Sequence, residues 1–283
     1  MNTPPLFVRT ALCLAMITGL GALLPAQAEL MLNPTRVVLT TNQRAAQVEL
    51  INDGSEPASY RISIVNRRMS ETGEFVTIEA PGPGELFAGS MLVYSPRQIT
   101  LQPGTAQVVR LMVRRPGGLA DGEYRSHLHF EKLPDPTEHA NSVDSAGKNA
   151  ANIGVVLRTL IGASIPVIVR QGPAQASVTL TQLDLQPGAP NKLPQLAFRI
   201  ERAGNSSVYG DLAAAFIPAG GTERVLAKAS GVAVYTPNAI RRAALPLMLP
   251  AGATLARGQL RLTYHERAEA GGKLLAEAVL TLP

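Results

Sequence analysis

The stretch from Ile153 to Val169 constrains the fold of this chain more than any other feature, because it is long, apolar and rich in β-branched residues. Nine of its seventeen residues are Val, Ile or Thr, the side chains that suit a pleated and partly buried surface. Fully extended, the stretch would span about 56 Å, whereas a typical strand covers only about 17–20 Å. The pattern therefore predicts a β-strand that is longer than its own sheet requires.

A membrane-spanning helix is the rival interpretation of this stretch. Arg158 lies near its middle, and Gly162, Ser164 and Pro166 interrupt the remainder. A spanning helix needs about 20 predominantly apolar residues with few charges. We therefore expect a strand, and a protein that is not embedded in a membrane.

The N-terminal residues have the order of a secretory signal peptide. Arg9 supplies the positive charge, the residues from Ala11 to Leu24 are apolar, and Ala26-Gln27-Ala28 is a small-x-small cleavage site. We expect residues 1–28 to be removed, so that the mature chain begins near Glu29. Since Cys13 is the only cysteine, the mature fold would depend on core packing and not on disulfides.

The first half of the chain is punctuated like an all-β protein. Short runs of Val, Ile, Leu and Thr recur between Gly, Pro, Asn and Asp clusters, and helical periodicity is hard to find. Ser70-Glu71-Thr72-Gly73 is typical of a turn between strands. Seven strands are predicted before the long one, which is the signature of an immunoglobulin-like sandwich. They are Leu30–Thr40, Ala46–Asn52, Ser59–Asn66, Met91–Ser95, Gln98–Leu101, Ala106–Arg114 and Tyr124–Leu133.

The second half predicts another sandwich. Gln171-Gly172-Pro173 ends the long strand and marks the expected boundary between residues 29–171 and residues 172–283. Between Pro134 and Asn152 lies a polar connection of a length that is usually functional or mobile. The strands expected after the boundary are Ser177–Leu185, Gln195–Arg202, Ser207–Phe216, Arg224–Ala229, Val232–Tyr235, Ala244–Leu249, Gln259–His265 and Leu274–Leu282.

Three residues on one strand are the only candidates for a metal site. His127, His129 and Glu131 alternate along the strand, so they share one face and could bind a transition metal. The same alternation gives the core face to the intervening residues and predicts an exposed face for the histidines. Because no fourth ligand is identifiable, solvated side chains without a metal are the favoured interpretation, and a copper- or zinc-binding sandwich is a minor alternative.

The remaining residues give no support for catalysis or nucleic-acid binding. No Gly-x-Ser-x-Gly turn and no glycine-rich loop before a helix occurs. The formal net charge of +5 is modest, and the basic residues are scattered without accompanying aromatic residues. We therefore expect no enzyme activity, no cofactor and no nucleic-acid partner.

The apolar strand offers a different kind of chemistry. An exposed strand edge can pair with a strand from another chain, and its alternating side chains can fill a groove in that partner. Such an edge would also favour self-association. The competing interpretation is that the whole stretch is the last, buried strand of the first sandwich, which periodicity alone favours slightly.

Several short blocks in a fixed order carry a family resemblance. Pro34-Thr35-Arg36-Val37-Val38 lies in the first strand, and Ser95-Pro96-Arg97 precedes Leu101-Gln102-Pro103-Gly104 and Val109-Arg110-Leu111. A strand ending at Leu133-Pro134, a variable loop and the long apolar strand follow. In this order, the mature chain resembles the PapD-like periplasmic chaperones that assemble pili with an outer-membrane usher.

This resemblance implies two immunoglobulin-like domains in a boomerang arrangement. It also implies that the long strand is donated to a pilin-like or fimbrial subunit that lacks its own final strand. The donor side chains would be Leu157, Thr159 and Ile161, extended by Ile153 and Val155. Arg36 matches the family arginine that receives the C-terminal carboxylate of the subunit, a task that suits a guanidinium fork.

The chain departs from the family pattern at two positions of the long strand. The family pairs its arginine with a lysine on this strand, but no lysine occurs between Ile153 and Arg170, and Pro166 or Ser164 stands at that position. Arg158 has the same parity as Pro166 and is a second candidate for the carboxylate anchor. Thr159 is polar in the middle of the donor face. The alternative to a chaperone is a secreted structural or adhesive module that keeps the strand buried.

Overall fold

The structure is a computed structural model, and it describes residues 30–134, 162–188, 192–250 and 255–283. Those residues form β-strands and two short 3₁₀ turns, at Gly89–Met91 and Ala268–Ala270, with no α-helix among them. None of the helical turns in these ranges has the length and hydrophobicity needed to cross a bilayer. The predicted all-β class with two sandwiches is confirmed.

The first domain contains strands β1 to β11. Four of them form a sheet in the order β1-β3-β9-β7, and five form a second sheet in the order β2-β11-β10-β4-β8. The remaining two, β5 and β6, form a separate hairpin around the predicted turn at Ser70–Gly73. The bounds are β1 Leu30–Asn33, β2 Val37–Leu39, β3 Ala45–Asn52, β4 Ala58–Val65, β5 Arg67–Met69, β6 Phe75–Thr77, β7 Leu92–Ser95, β8 Gln98–Leu101, β9 Ala106–Val113, β10 Gly122–Lys132 and β11 Ala163–Gln171.

The second domain contains strands β12 to β18. They form a three-stranded sheet, β12-β13-β16, and a four-stranded sheet, β15-β14-β17-β18, and none of them shares a sheet with a strand of the first domain. We keep Gln171–Gly172 as the proposed boundary because β11 ends at Gln171. The bounds are β12 Ala176–Gln186, β13 Gln195–Gly204, β14 Val208–Pro218, β15 Arg224–Val234, β16 Ile240–Pro246, β17 Gly258–Glu266 and β18 Leu274–Leu282.

Two strand predictions were wrong in an instructive way. The stretch Leu30–Thr40 is two strands in different sheets, since β1 pairs with β3 whereas β2 pairs with β11. Pro34 stands between them and has no N–H to continue a ladder. The two predicted strands around Gly231 are one strand, β15, because Gly231 adopts a φ of +70° and accommodates a register shift opposite Asp211.

The core of the first domain lies between its two sheets. Alternate residues of β3 and β9 face alternate residues of β10 and β11 across it, as period-two side-chain alternation requires. The most deeply buried of these side chains are Val48, Leu50, Val109, Leu111, Leu128, Phe130, Val167 and Val169. In the C-terminal part of the long apolar stretch, Ile165, Val167 and Val169 therefore belong to the ordinary sandwich core.

Two neighbouring residues of β9 test this assignment of faces. Leu111 is fully buried and Met112 is 52% exposed. We expect Leu111→Ala to cost about 2–5 kcal/mol of unfolding free energy through lost burial and a residual cavity, and Met112→Ala to change it by no more than about 0.5 kcal/mol. Urea unfolding followed by circular dichroism measures both. Equal destabilisation by the two substitutions would contradict the face assignment.

Candidate functional site

The outer face of the five-stranded sheet is covered by the second domain. Ile168, in the middle of β11, is fully buried and packs with Met69, Ala233 and Tyr235. Val38 and Tyr209 complete this cluster. Strand β11 thus packs on both faces. Its odd-numbered residues lie in the first-domain core, and Ile168 lies at the contact between the two domains.

A buried carboxylate ties the two domains together beside this cluster. Glu123, at the start of β10, is 3% exposed. It accepts hydrogen bonds from Arg170 Nε at 3.0 Å and from the Ser207 backbone N–H at 3.0 Å, and the Ser207 hydroxyl donates a further one. Thr236 N–H in turn donates to Ser207 Oγ at 3.0 Å. Each oxygen of the buried charge is therefore paired, as burial of an ion requires.

The strand register places three functional candidates side by side on the face of β2, β11 and β10 that meets the second domain, which we call the junction face. Val37 of β2 pairs in parallel with Val167 of β11, so Arg36 lies next to Pro166. On the other side, Pro166 pairs directly with His127 of β10. Paired residues share a face, so Arg36, Pro166 and His127 form one row, and Arg125 lies in the next row on the same face.

Two tyrosines of the second domain hold the arginines of this face. The guanidinium carbon of Arg36 lies 4.6 Å from the ring centroid of Tyr209 and 5.4 Å from that of Tyr235. The guanidinium carbon of Arg125 lies 4.3 Å from the centroid of the same Tyr235 ring. Cation–π contacts of this kind are attractive and strengthen with desolvation. Tyr235 therefore stands against both guanidinium groups and limits their freedom.

His127 is buried, and the prediction that it lies on an exposed face was wrong. It is 2% exposed because the hairpin β5–β6 covers it, with the Phe75 ring 5.2 Å away in an edge-on arrangement. Burial, with Arg125 and Arg67 nearby, lowers the pKa of His127 to about 3. Burial likewise lowers the pKa of Arg125. The imidazole is thus neutral at physiological pH and carries one N–H donor.

The hairpin β5–β6 reaches across the junction to the second domain. Asn238 Nδ2 donates to the Met69 carbonyl at 2.7 Å, and the Arg242 N–H donates to the Glu71 carbonyl at 2.7 Å. Phe75 contacts Tyr235, with ring centroids 6.0 Å apart. The hairpin therefore closes one side of the junction face over His127.

The three metal candidates do not converge. His127 packs against Phe75, His129 Nδ1 lies 3.1 Å from the Ala163 carbonyl oxygen, and Glu131 pairs with Arg61 at 3.5 Å. No group of three His, Cys, Asp or Glu side chains in the described ranges is placed to hold a metal ion.

The donor-strand candidates lie outside the described residues. These are Ile153, Val155, Leu157, Thr159 and Ile161, together with Arg158 as the second anchor candidate. The signal peptide predicted for residues 1–28 also lies outside them. Of the family-derived site, the structure therefore describes Arg36 and the two lysine-position candidates, Ser164 and Pro166.

The comparison with family models identifies the first domain. Residues 29–170 match the family described as pili and flagellar-assembly chaperone, PapD N-terminal domain. This match spans half of the chain, and the protein belongs to this family of assembly chaperones. No curated protein sequence matches the chain.

Three of the solved structures to which the chain is similar contain chaperones. The YadV chaperone is 11% identical, with 90% of this chain and 100% of that chain covered and a TM-score of 0.44. The CsuC–CsuE chaperone–tip adhesion subunit pre-assembly complex of Acinetobacter baumannii is 12% identical, with 90% and 98% covered and a TM-score of 0.44. The CupB2 chaperone of Pseudomonas aeruginosa is 12% identical, with 89% and 100% covered and a TM-score of 0.43. At such low values, family membership rests on the match over residues 29–170.

Sequence reasoning missed Arg125, Tyr209 and Tyr235 as parts of this face. Arg125 is two residues from His127 on the same strand, so the two share a face, and this spacing was the only sequence feature that connected Arg125 with the site. The tyrosines are in the other domain, so nothing in the local pattern connects them to Arg36.

The burial of His127 makes a prediction about acid sensitivity. The unfolded chain binds a proton near the ordinary histidine pKa of 6.5 and the folded chain only near 3, so folding stability falls as the pH falls through this window. From about pH 7 to pH 5 the loss due to His127 should be about 2 kcal/mol. His127→Gln, which does not titrate, should remove this part of the pH dependence, whereas His265→Gln should retain it. Urea unfolding at both pH values measures the difference, and an unchanged pH dependence in His127→Gln would refute the assignment.

Proposed function

We propose that this protein is a periplasmic chaperone that binds pilin-like subunits, completes their fold with its own strand and delivers them to an outer-membrane usher. The donor face would comprise Val155, Leu157, Thr159 and Ile161, extended by Ile153. This proposal includes removal of residues 1–28 on export. Strand donation is a binding event without a chemical step, so neither a cofactor nor ATP is required.

The observation that carries the proposal is the open edge of β11 next to Arg36. Strand β2 pairs only with Val167, Ile168 and Val169. Upstream of these residues, Ala163 to Ile165 pair with β10 on one side, and no other strand within the described ranges pairs with them on the opposite side. A strand of the partner could extend the sheet here by β-augmentation, in which backbone hydrogen bonds give affinity and side-chain pockets give register.

Two observations support Arg36 as the anchor for the end of such a strand. It lies beside Pro166, at the point where the open edge meets β2. Its Nη1 atom is buried and has no hydrogen-bond partner within the described part of the chain. A guanidinium with a spare donor is suited to a carboxylate, and the C-terminus of the bound pilin supplies one. This geometry supports the anchor role that the family resemblance implies for Arg36.

The family match favours the chaperone over a structural or adhesive module. Under that alternative the stretch Ile153–Ile161 would be a permanent part of the first-domain core and would bind no partner. The two hypotheses therefore differ in what substitution of this stretch does to the capture of pilin-like subunits.

The donor face is tested with charged substitutions. We expect Leu157→Arg combined with Ile161→Arg to abolish co-purification of the pilin-like partner from the native periplasm, because two buried charges would be unpaired in the partner groove. The matched control is Val108→Arg combined with Met112→Arg, at the same spacing on the exposed face of β9, which should leave capture intact. Circular dichroism checks that both double variants are folded. Undiminished capture of the partner by the first variant contradicts the proposed donor face.

The carboxylate anchor is tested with Arg36→Ala. Loss of a charge-assisted hydrogen bond costs about 1.5–3 kcal/mol, so affinity for the pilin-like partner should fall about ten- to a hundredfold. The exposed Arg110 of β9 provides the control, and Arg110→Ala should bind as the unmodified chaperone does. Titration calorimetry with the co-purified partner gives the affinities, and equal affinity for Arg36→Ala and Arg110→Ala means that the anchor lies elsewhere.

A further inference from the structure

Unpaired polar atoms are concentrated on the junction face. Within the described residues, ten buried side-chain nitrogen or oxygen atoms have no hydrogen-bond partner. Five of them belong to four residues that share this face of β2, β11 and β10. They are Arg36 Nη1, Arg125 Nη1, both ring nitrogens of His127 and Ser164 Oγ.

Such a concentration is costly unless a ligand completes it. A buried donor without a partner costs about 1–3 kcal/mol, and more when it is charged. Arg125 and His127 are 7% and 2% exposed, so water reaches them poorly. Burial lowers the pKa of Arg125, and repulsion from Arg36 lowers it further, whereas Tyr235, Glu123 and Glu85 act in the opposite direction. An anion would relieve both the missing hydrogen bonds and the repulsion.

The acidic groups nearby do not fill this role. Glu123 is engaged by Arg170 and Ser207, and Glu85 accepts from Arg68 Nε and Nη2 at 2.7 Å each. The one described hydrogen bond of the Arg125 side chain goes from Nη2 to the Arg67 carbonyl at 3.2 Å. Both carboxylates attract Arg125 through space, but its Nη1 donor has no hydrogen-bond partner within the described residues and is left for a ligand from outside them.

Pro166 gives this face its shape. It stands in the row between Arg36 and His127 and brings neither a charge nor a donor. Arg36 and His127 flank it in this row, so donors from β2 and β10 stand on either side of it. The surface above Pro166 is partly exposed, which leaves access from the open edge of β11.

We propose that Arg125 and His127 of β10 join Arg36 in binding the C-terminal carboxylate of the pilin-like partner, and that they replace a cation on the long strand. Nη1 of each arginine and the His127 N–H donate to the two carboxylate oxygens. This inference rests on the proposed function, since the open edge of β11 is what brings a chain terminus to the face. It adds two residues on a different strand from the one where the family lysine is expected.

The test compares a peptide ending in a carboxylate with the same peptide ending in an amide. The probe is a synthetic peptide of the C-terminal strand of the co-purified partner, in both forms. The unmodified chaperone should prefer the free acid about tenfold or more. Arg125→Gln and His127→Phe should each lose most of this preference, whereas His127→Gln, which retains an N–H donor, and the exposed control Arg110→Gln should keep it.

A measurement on the unmodified protein guards against a folding defect in the variants. The ¹⁵N resonances of the His127 ring should shift with the free-acid peptide and not with the amide. The proposal is overturned if Arg125→Gln and His127→Phe prefer the free-acid peptide as strongly as the unmodified chaperone does. It is also overturned if inorganic phosphate at the same concentration shifts the His127 resonances as much as the free-acid peptide does. Capture of the whole pilin-like partner distinguishes failure of this site from failure of the proposed function. If the unmodified chaperone captures the partner but does not prefer the free-acid peptide, only the carboxylate site is overturned. If it captures no partner at all, the proposed function is overturned.

Discussion

Burial of β11 on both faces is the constraint on which the rest of the structure depends. Val167 and Val169 fill the first-domain core, and Ile168 packs against Tyr235 and Ala233 of the second domain. Because one strand belongs to both contacts, the domains cannot separate without exposing apolar surface, at about 25 cal/mol per Å². The buried carboxylate of Glu123 also accepts hydrogen bonds from both domains, and these bonds depend on the relative orientation of the two domains.

That constraint also creates the cationic face. The second domain covers Ile168 and brings Tyr209 and Tyr235 against Arg36 and Arg125. Arginines that would be solvated on an isolated sheet are thereby desolvated and held by aromatic rings. Buried guanidinium donors without partners are rare in proteins, and their occurrence in two adjacent rows beside an open strand edge is the physical basis for the binding site proposed here.

The family match and the geometry support each other at different levels. The match over residues 29–170 identifies an assembly chaperone. The geometry adds one point about the missing lysine. It places Arg125 and His127 on β10, the strand next to the one where the family pattern predicts the lysine. A neutral histidine is suited to this task since it can donate a hydrogen bond to a carboxylate without adding a third buried charge.

The sequence by itself determined the class of fold, most strand positions and the core face of the C-terminal half of the long stretch, because period-two alternation and turn residues are local signals. The family resemblance also drew attention to Arg36, whose role as an anchor remains a proposal. Only the tertiary structure decided that Arg125 and His127 on the outer face of β10 are buried, that β1 and β2 lie in different sheets and that Arg125 lies near Arg36. These features arise from contacts between segments far apart in the chain, such as His127 with Phe75 and Arg36 with Tyr209. Alternation predicts two faces for a strand, but which face meets solvent depends on what packs against it.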